Sequence, residues 1–276
     1  MLAAAAAQAA GNGLELARTQ YEHTDYEGAL RTLRALPEKS FAVYELMGRT
    51  LFMQGDFKRA GQAFEKAVEL NPRSSTARNW LGKAYGRRAE TASFVMAPLL
   101  ASKARNCFEE AVELDPRNLE AISDLFDYYI EAPGIMGGGL DKAEALAGRV
   151  RALNQAEYHY MMAKVAEKRK EFGTAEEQLR RAIEMAPRQV GRILDLANFL
   201  ARHGRIDESE AAFRKAEEVA PGAAKVMFAR ASVYVRTGRN LDTARTLLER
   251  YLRSPLTPDD PPRREAERLL RQLANS

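Results

Sequence analysis

The sequence is poor in the residues that build disulfides, metal sites and many catalytic centres. Its 276 residues include one cysteine and three histidines. A lone thiol cannot form an internal disulfide or a thiolate metal cage. Three separated histidines do not have the spacing of a metal site or of a nucleophile–base pair. We therefore expect no structural disulfide, no metal and no cofactor, and we do not expect an enzyme.

The chain also has little net charge and no long apolar run. Lys and Arg number 42 and Asp and Glu 38, which leaves a net charge of +4 with both signs spread along the sequence. That balance is weak evidence for a nucleic-acid partner. After the N-terminus, no segment reaches the ~20 apolar residues that would span a bilayer. We expect no nucleic-acid partner and no transmembrane segment.

The N-terminus leaves two interpretations open. Met1 and Leu2 precede an alanine tract, and Ala7-Gln8-Ala9 fits a small-x-small signal cleavage site. However, no Lys or Arg comes before Arg18, and the apolar run is short for a secretory signal. Residues 1–12 are thus either the remnant of a signal peptide, which implies a periplasmic or exported protein, or a flexible or helical leader of a cytoplasmic one. We favour the first interpretation.

An internal repeat dominates the rest of the chain. Four similar segments, AVELNP, AVELDP, AIEMAP and AEEVAP, end at Pro72, Pro116, Pro187 and Pro221. Each is typical of the end of a helix, because proline cannot donate the next backbone hydrogen bond. Pro187 and Pro221 are 34 residues apart, whereas Pro72 and Pro116 are 44 apart. The sequence therefore has a 34-residue period with an insertion of about ten residues in one copy.

Each period contains two apolar patterns with helical spacing. In the clearest copy these positions are Tyr44, Met47, Gly48 and Leu51, then Ala60, Phe64, Ala67 and Pro72. This pattern resembles the tetratricopeptide repeat, with its Leu-Gly pair and Tyr followed by Ala, Phe, Ala and Pro. The resemblance covers about residues 13–276 and implies an all-α fold. It implies a single right-handed α-solenoid of about seven helical hairpins, closed by a capping helix at 263–274.

Two insertions depart from the repeat, one from Ala89 to Pro98 with an apolar segment at 92–101, the other at 133–139. The stretch APGxxGGxxDKA around the second resembles a loop of bacterial, often exported, tetratricopeptide proteins. Both insertions should emerge at one edge of the solenoid. The favoured interpretation packs three residues of the first against two of the second: Phe94, Met96 and Leu99 against Ile135 and Met136. The alternative is an exposed apolar lip for a partner, a second copy or a lipid surface.

Some residues have a possible chemical role that we do not favour. The triple glycine before Leu140 looks like an anion-binding loop but lacks a Gly-Lys-Ser/Thr ending and a preceding strand. His159 falls on an apolar stripe, where a hydrogen-bonded core histidine is expected. Cys107, beside Phe108 on a packed helix, is expected to be a small buried hydrophobe.

A protein of this architecture binds partners on the concave face built from the first helices of its hairpins. The side chains expected there combine aromatic rings, amides and charges. They are Glu45, Arg49, Phe52, Asn79, Lys83, Arg87, Asp127, Tyr160, Lys164, Asn198, Arg202 and Phe228. We predict an adaptor or assembly scaffold that holds a peptide or helical segment of another protein in this groove.

Three other functions are less favoured. A self-associating structural protein would form homo-oligomers through the edge at 92–101 and 133–139. An RNA-binding repeat protein would need a more basic groove, and Asp127, Glu131 and Glu167 oppose that. Relatives that bind chaperone tails use Lys, Arg and Asn from three adjacent repeats as a two-carboxylate clamp, which no three repeats here reproduce.

Overall fold

The computed structural model describes residues 2–275, and the side chains of residues 11–275. All regular structure in this range is helical, which confirms the predicted all-α fold. A short 3₁₀ turn, Gly134–Met136, lies between the seventh and eighth helices. The fifteen α-helices are α1 (Leu2–Glu22), α2 (Tyr26–Ala35), α3 (Phe41–Gln54), α4 (Phe57–Leu70), α5 (Ser75–Ala89), α6 (Ala97–Leu114), α7 (Leu119–Glu131), α8 (Leu140–Val150), α9 (Gln155–Lys168), α10 (Phe172–Met185), α11 (Val190–Arg202), α12 (Ile206–Val219), α13 (Ala224–Thr237), α14 (Leu241–Arg253) and α15 (Arg263–Ala274).

In chain order the helices form seven helix-turn-helix pairs followed by α15. The chain divides into two compact units, residues 1–146 and 147–276, with the boundary inside α8. A single solenoid over residues 13–276 therefore stays a prediction. The described part of the predicted leader, residues 2–12, lies in α1. Met1 and the side chains of residues 2–10 lie outside the described residues, and the signal-peptide interpretation also stays a prediction.

Local chemistry sets where the helices begin. At five helices an Asp, Ser or Asn side chain accepts a hydrogen bond from a backbone N–H three residues further along the chain. Such a bond satisfies one of the N–H groups that have no partner inside the helix. These capping residues are Asp25, Asp56, Ser74, Asn118 and Asn154.

The repeated turn residues set where the helices end. Gly55 closes α3 in a left-handed conformation with φ of 85°, which costs glycine little. Pro72, Pro116, Pro187 and Pro221 each lie two residues past the last residue of a helix. The four segments that end in proline are therefore the ends of α4, α6, α10 and α12, as their sequence indicated.

In the first unit, close packing within hairpins depends on glycine. A Cβ atom on Gly48 would lie 2.7 Å from the ring of Phe64, and one on Gly82 would lie 2.7 Å from the ring of Phe108. Phe64 is 0% exposed, so its ring has no solvent into which to move. The α3–α4 and α5–α6 pairs thus leave no room for a side chain at Gly48 or Gly82.

In the second unit, two buried clusters join α11 to the helices beside it, one with α9 and α10 and one with α12 and α13. A third cluster joins α13, α14 and α15, where Ala266, Leu269 and Leu273 of α15 pack with Leu248 and Tyr251. The helix at the C-terminal end thus covers apolar residues of the last hairpin. Among the helices described, none has both the length and the apolar character needed to cross a bilayer.

Candidate binding surfaces

We use the term first-helix face for the predicted groove residues on α3, α5, α7, α9, α11 and α13. In the first unit, α5 and α7 are joined by a polar network on this face. The Asn79 side chain, 1% exposed, donates a hydrogen bond of 2.7 Å to Asp124. Lys83 Nζ lies 3.1 Å from the same carboxylate and 2.6 Å from Glu120. These contacts fix Asn79 and Lys83 in position across two adjacent repeats.

Burial and charge oppose each other in this network. Burial raises the pKa of Asp124, although Lys83 and the amide of Asn79 favour its charged form. Burial disfavours the charge of Lys83, but Asp124 and Glu120 outweigh it, so the pKa of Lys83 is raised. Lys83 therefore stays a cation at neutral pH even though it is half-buried.

An aromatic cluster around Trp80 lies beside the network. The Nζ atom of Lys83 is 4.4 Å from the centre of the Trp80 ring, and the guanidinium carbon of Arg49 is 5.2 Å from it. Phe52 meets the same ring edge-on at 5.3 Å between centroids, and Phe64 stacks on it at 5.9 Å. Arg49, Lys83 and Phe52, which were predicted from the sequence, thus meet at Trp80, which was not.

The other predicted residues of the first unit, Glu45, Arg87 and Asp127, are charged. Arg49 donates a hydrogen bond of 2.6 Å to Glu45, and both side chains line a cavity of about 300 Å³ together with Arg18 of α1. Arg87 is exposed and lies 2.8 Å from Glu90. Asp127 is exposed on α7. The Trp80 cluster is therefore half-buried, with the ion pair of Arg49 and Glu45 beside it.

In the second unit, α9 and α11 are joined through Arg192 and Tyr160. The Arg192 guanidinium carbon lies 4.2 Å from the centre of the Tyr160 ring. The same side chain donates hydrogen bonds of 2.5 Å to Glu157 and 3.0 Å to Asp195. The Nζ atom of Lys164 is 5.8 Å from the centre of the same ring. Tyr160 and Lys164 were predicted, whereas Arg192 and Asp195 were not.

A second link between α9 and α11 lies further along the face. Arg202 donates hydrogen bonds to both carboxylate oxygens of Glu167, at 3.0 and 2.9 Å. Asn198 donates to the Leu194 carbonyl of its own helix at 2.9 Å. Phe228 of α13 is half-buried, with its ring 5.3 Å from that of Tyr251. Phe228 therefore contributes to the core of the second unit as well as to the face.

The pKa values of Asp195 on α11 and Arg236 on α13 are both shifted. Burial raises the pKa of Asp195 to about 6, although the nearby Arg192 favours the carboxylate. Burial and the positive charge of Arg202 lower the pKa of Arg236. The second effect indicates that Arg202 and Arg236 lie close enough for their charges to repel.

The triple glycine and His159, which have a possible chemical role, form hydrogen bonds within the protein. Within residues 133–139, the N–H groups of Gly137, Gly138 and Gly139 donate to the carbonyls of Gly134, Pro133 and Tyr129. The N–H groups of the three consecutive glycines are therefore already hydrogen-bonded within the protein. His159 is half-buried and hydrogen-bonds Gln178 at 2.7 Å.

Cys107 has no feature of a nucleophile. Its side chain is buried, and burial raises the pKa of the thiol to about 12. The ring of His203 is tilted against the rings of Phe172 and Phe199, with centroid distances of 4.3 and 4.5 Å. No group of three or more His, Cys, Asp or Glu side chains in the described part of the chain could hold a metal ion.

The two insertions give the first unit an apolar edge, which we define as Phe94, Val95, Met96, Leu99 and Ile135. Phe94 and Ile135 are each 94% exposed. The prediction that Phe94, Met96 and Leu99 pack against Ile135 and Met136 is therefore wrong. The second insertion is instead held by its backbone, since the Met136 carbonyl accepts hydrogen bonds from Arg105 and Tyr128, at 3.3 and 2.8 Å.

Comparison with known proteins identifies the repeat. Models of the tetratricopeptide repeat match residues 41–74, 156–189 and 194–261. A tetratricopeptide repeat protein of Parabacteroides merdae has a similar structure, at 15% identity over 97% of this chain and 100% of that one, with a TM-score of 0.62. A thermophilic protein of the same kind from Thermus thermophilus matches at 21% identity over 69% of this chain and 98% of that one, with a TM-score of 0.57.

A human protein shares the fold as well. The human IFIT1 dimer, solved with PPP-AAAA, matches at 20% identity over 87% of this chain and 54% of that one, with a TM-score of 0.58. At these identities the likeness to solved structures concerns the fold alone. A search of the curated proteins found no significant match.

Proposed function

This chain is a tetratricopeptide repeat protein, and we propose that it is an adaptor or assembly scaffold that holds a segment of another protein on its first-helix face. The repeats support a general role as a protein-interaction scaffold. The segment is an extended peptide or a helix, which repeat proteins of this class can bind along one face.

The observation that carries the proposal is that several side chains of the first-helix face are already held in place by contacts within the protein. Lys83 and Asn79 are fixed by Asp124 in the first unit, and Arg202 is fixed by Glu167 in the second. Side chains that are already held lose less conformational entropy when a partner binds.

The residue types on the face also suit a binding role. Trp80 has two cations over its ring, and Tyr160 has Arg192 at 4.2 Å and Lys164 at 5.8 Å. Trp, Tyr and Arg are the residues that most often dominate binding energy at protein interfaces. Half-buried rings flanked by charges supply a centre and a rim for such an interface.

The charges of the second unit favour a partner segment with acidic side chains, bound against α11 and α13. Arg236 is exposed, is repelled by Arg202, and has no ion-pair partner within the described residues. A carboxylate of the partner placed between the two guanidinium groups would relieve that repulsion. The predicted face cations of the first unit, Arg49, Lys83 and Arg87, already have carboxylate partners, so the charge preference arises from the second unit.

Affinity capture from the native organism's extract tests the proposal. The intact chain is compared with a Lys164→Glu, Arg236→Glu variant and with a Lys215→Glu control, whose exposed side chain lies on the second helix α12. We expect one protein that the intact chain and the control retain and the face variant loses, with ribonuclease treatment having no effect. Equal capture by all three folded chains would overturn the proposal, and capture that ribonuclease abolishes would assign the face to RNA.

A further inference from the structure

Four of the five side chains of the apolar edge lie on the loop between α5 and α6 and on the first turn of α6. Phe94 is 94% exposed and Val95 is 81% exposed, and Met96 and Leu99 are exposed beside them. Residues 91–102, which contain all four, have no charged side chain. Soluble monomers rarely leave such side chains clustered in water without a role in binding. The loop is therefore a second candidate surface, independent of the function proposed above.

The backbone of this loop is held in a turn. The carbonyl of Ser93 accepts hydrogen bonds from the N–H groups of Met96 and Ala97, at 2.9 Å each. Peptide groups that already have hydrogen-bond partners cost less free energy to move out of water. The turn thus presents Phe94 and Val95 to the outside and lowers the cost of placing its own backbone in an apolar environment.

Two cations lie at the base of the loop. The guanidinium carbon of Arg88, in the last turn of α5, is 5.7 Å from the centre of the Tyr85 ring, and Lys103 Nζ of α6 is 5.4 Å from it. Neither cation has a carboxylate partner in the part of the chain that the structure describes. The carboxylate between them in sequence, Glu90, lies 2.8 Å from Arg87 and is paired there. An uncharged apolar loop is thus flanked by two cations that no ion pair neutralises.

This combination matches the surface of a membrane that contains anionic lipids. Such a surface attracts nearby Lys and Arg side chains, and apolar side chains enter the boundary between headgroups and acyl chains. A protein partner would need a pocket shaped for Phe94 and Val95, whereas lipid accepts exposed side chains without a matching shape. A symmetric contact between two copies would bring Arg88 and Lys103 of both copies together, and like charges placed together oppose association.

We propose that the loop between α5 and α6 binds the surface of an anionic membrane. Phe94 and Val95 enter the boundary between the headgroups and the acyl chains, and Arg88 and Lys103 contact the lipid phosphates. The loop lies in the plane of the interface and does not span the bilayer. The long Arg and Lys side chains can reach the phosphates while their apolar stems stay against the protein.

Sedimentation of the full chain with sucrose-loaded vesicles tests the proposal. One set of vesicles is phosphatidylcholine alone, and the other is phosphatidylcholine mixed with phosphatidylglycerol, which is anionic. The apolar variant is Phe94→Ser with Val95→Ser, and the charge variant is Arg88→Gln with Lys103→Gln. Because Phe94 and Val95 are exposed, the apolar variant should fold normally, and circular dichroism checks the fold of every variant.

The matched control removes one cation and one exposed apolar side chain elsewhere in the same unit. It is Lys58→Gln with Leu70→Ser, at the two ends of α4, where Lys58 is exposed and Leu70 is 55% exposed. A general effect of lower charge or lower hydrophobicity would appear in this control as well.

We expect the intact chain and the control to bind the vesicles with phosphatidylglycerol. Binding should weaken at least about tenfold in each of the two loop variants and on phosphatidylcholine alone, and it should weaken as salt is added. Absence of vesicle binding, or equal binding by all variants, would overturn the proposal. So would a dimer in sedimentation equilibrium without vesicles that the apolar variant abolishes, because it would assign the loop to a second copy.

Discussion

Replacement of Gly48 by alanine sets two effects of opposite sign against each other. Alanine is favoured over glycine inside a helix by about 1 kcal/mol. The new Cβ, however, would lie 2.7–2.8 Å from three ring carbons of Phe64, which is 0% exposed. Overpacking of this kind costs about 1–3 kcal/mol. We therefore expect Gly48→Ala to lower the free energy of unfolding by up to about 2 kcal/mol.

Urea unfolding followed by Trp80 fluorescence measures this change, since Trp80 stacks on Phe64 at 5.9 Å. The matched control is Gly61→Ala in α4, where the nearest atom to the new Cβ lies at an ordinary 3.8 Å. The control should be stabilised by up to about 1 kcal/mol.

The second unit indicates how the clash can be relieved. At the corresponding repeat positions it has Ala163 and Leu179, buried in one cluster. In a Phe64→Leu background, Gly48→Ala should therefore be neutral or stabilising. If Gly48→Ala stabilises the wild-type protein as much as Gly61→Ala does, the argument from close approach is refuted.

Three further predictions concern titration, reactivity and binding. Because the pKa of Asp195 is raised to about 6, above about 3.9 in an unfolded chain, only the folded protein holds this proton between pH 4 and 6. The free energy of unfolding of the wild type, relative to that of Asp195→Asn, should therefore fall by up to about 3 kcal/mol as the pH rises through that window. Urea unfolding at several pH values measures this difference, and a difference that does not change with pH would contradict the prediction. The Cys107 thiol, with its pKa raised to about 12, should react with a disulfide reagent at pH 8 on the order of 10³-fold more slowly in the native protein than in urea, and equal rates would contradict its burial. Trp80 is the chain's one tryptophan, so a partner segment on the first unit's face should change its emission, and an unchanged spectrum at saturation would exclude binding there.

The hairpins could be predicted because their determinants are local. Pro72, Pro187 and similar residues end helices wherever they occur, and a glycine paired with a phenylalanine at fixed spacing indicates close helix approach. These features repeat with a constant period, so agreement between copies reinforces each one.

The arrangement of the candidate surfaces depended on contacts that the sequence does not specify. Trp80, Asp124 and Asp195 lie next to predicted face positions, and they meet the face only because adjacent first helices place them near Lys83 or Arg192. Their signal was a ring one residue after Asn79, and a carboxylate three residues before Asp127 or Asn198.

The apolar edge was misjudged for a related reason. Apolar character alone does not reveal whether another segment covers a side chain. The turn at 133–139 is fixed by backbone hydrogen bonds, such as Gly139 N–H to the Tyr129 carbonyl at 2.9 Å. No apolar contact is needed to hold the turn, so Phe94 and Ile135 remain in solvent.

Site-specific photo-crosslinking tests most directly the claim that the first-helix face holds a protein partner. A photoreactive phenylalanine analogue replaces Asn198 on the face of α11, or exposed Arg214 on the second helix α12 as the control. After irradiation in the native organism's extract, we expect a single protein crosslinked through position 198 and none through position 214. Crosslinks from position 214 alone, or equal crosslinks from both positions, would contradict the account.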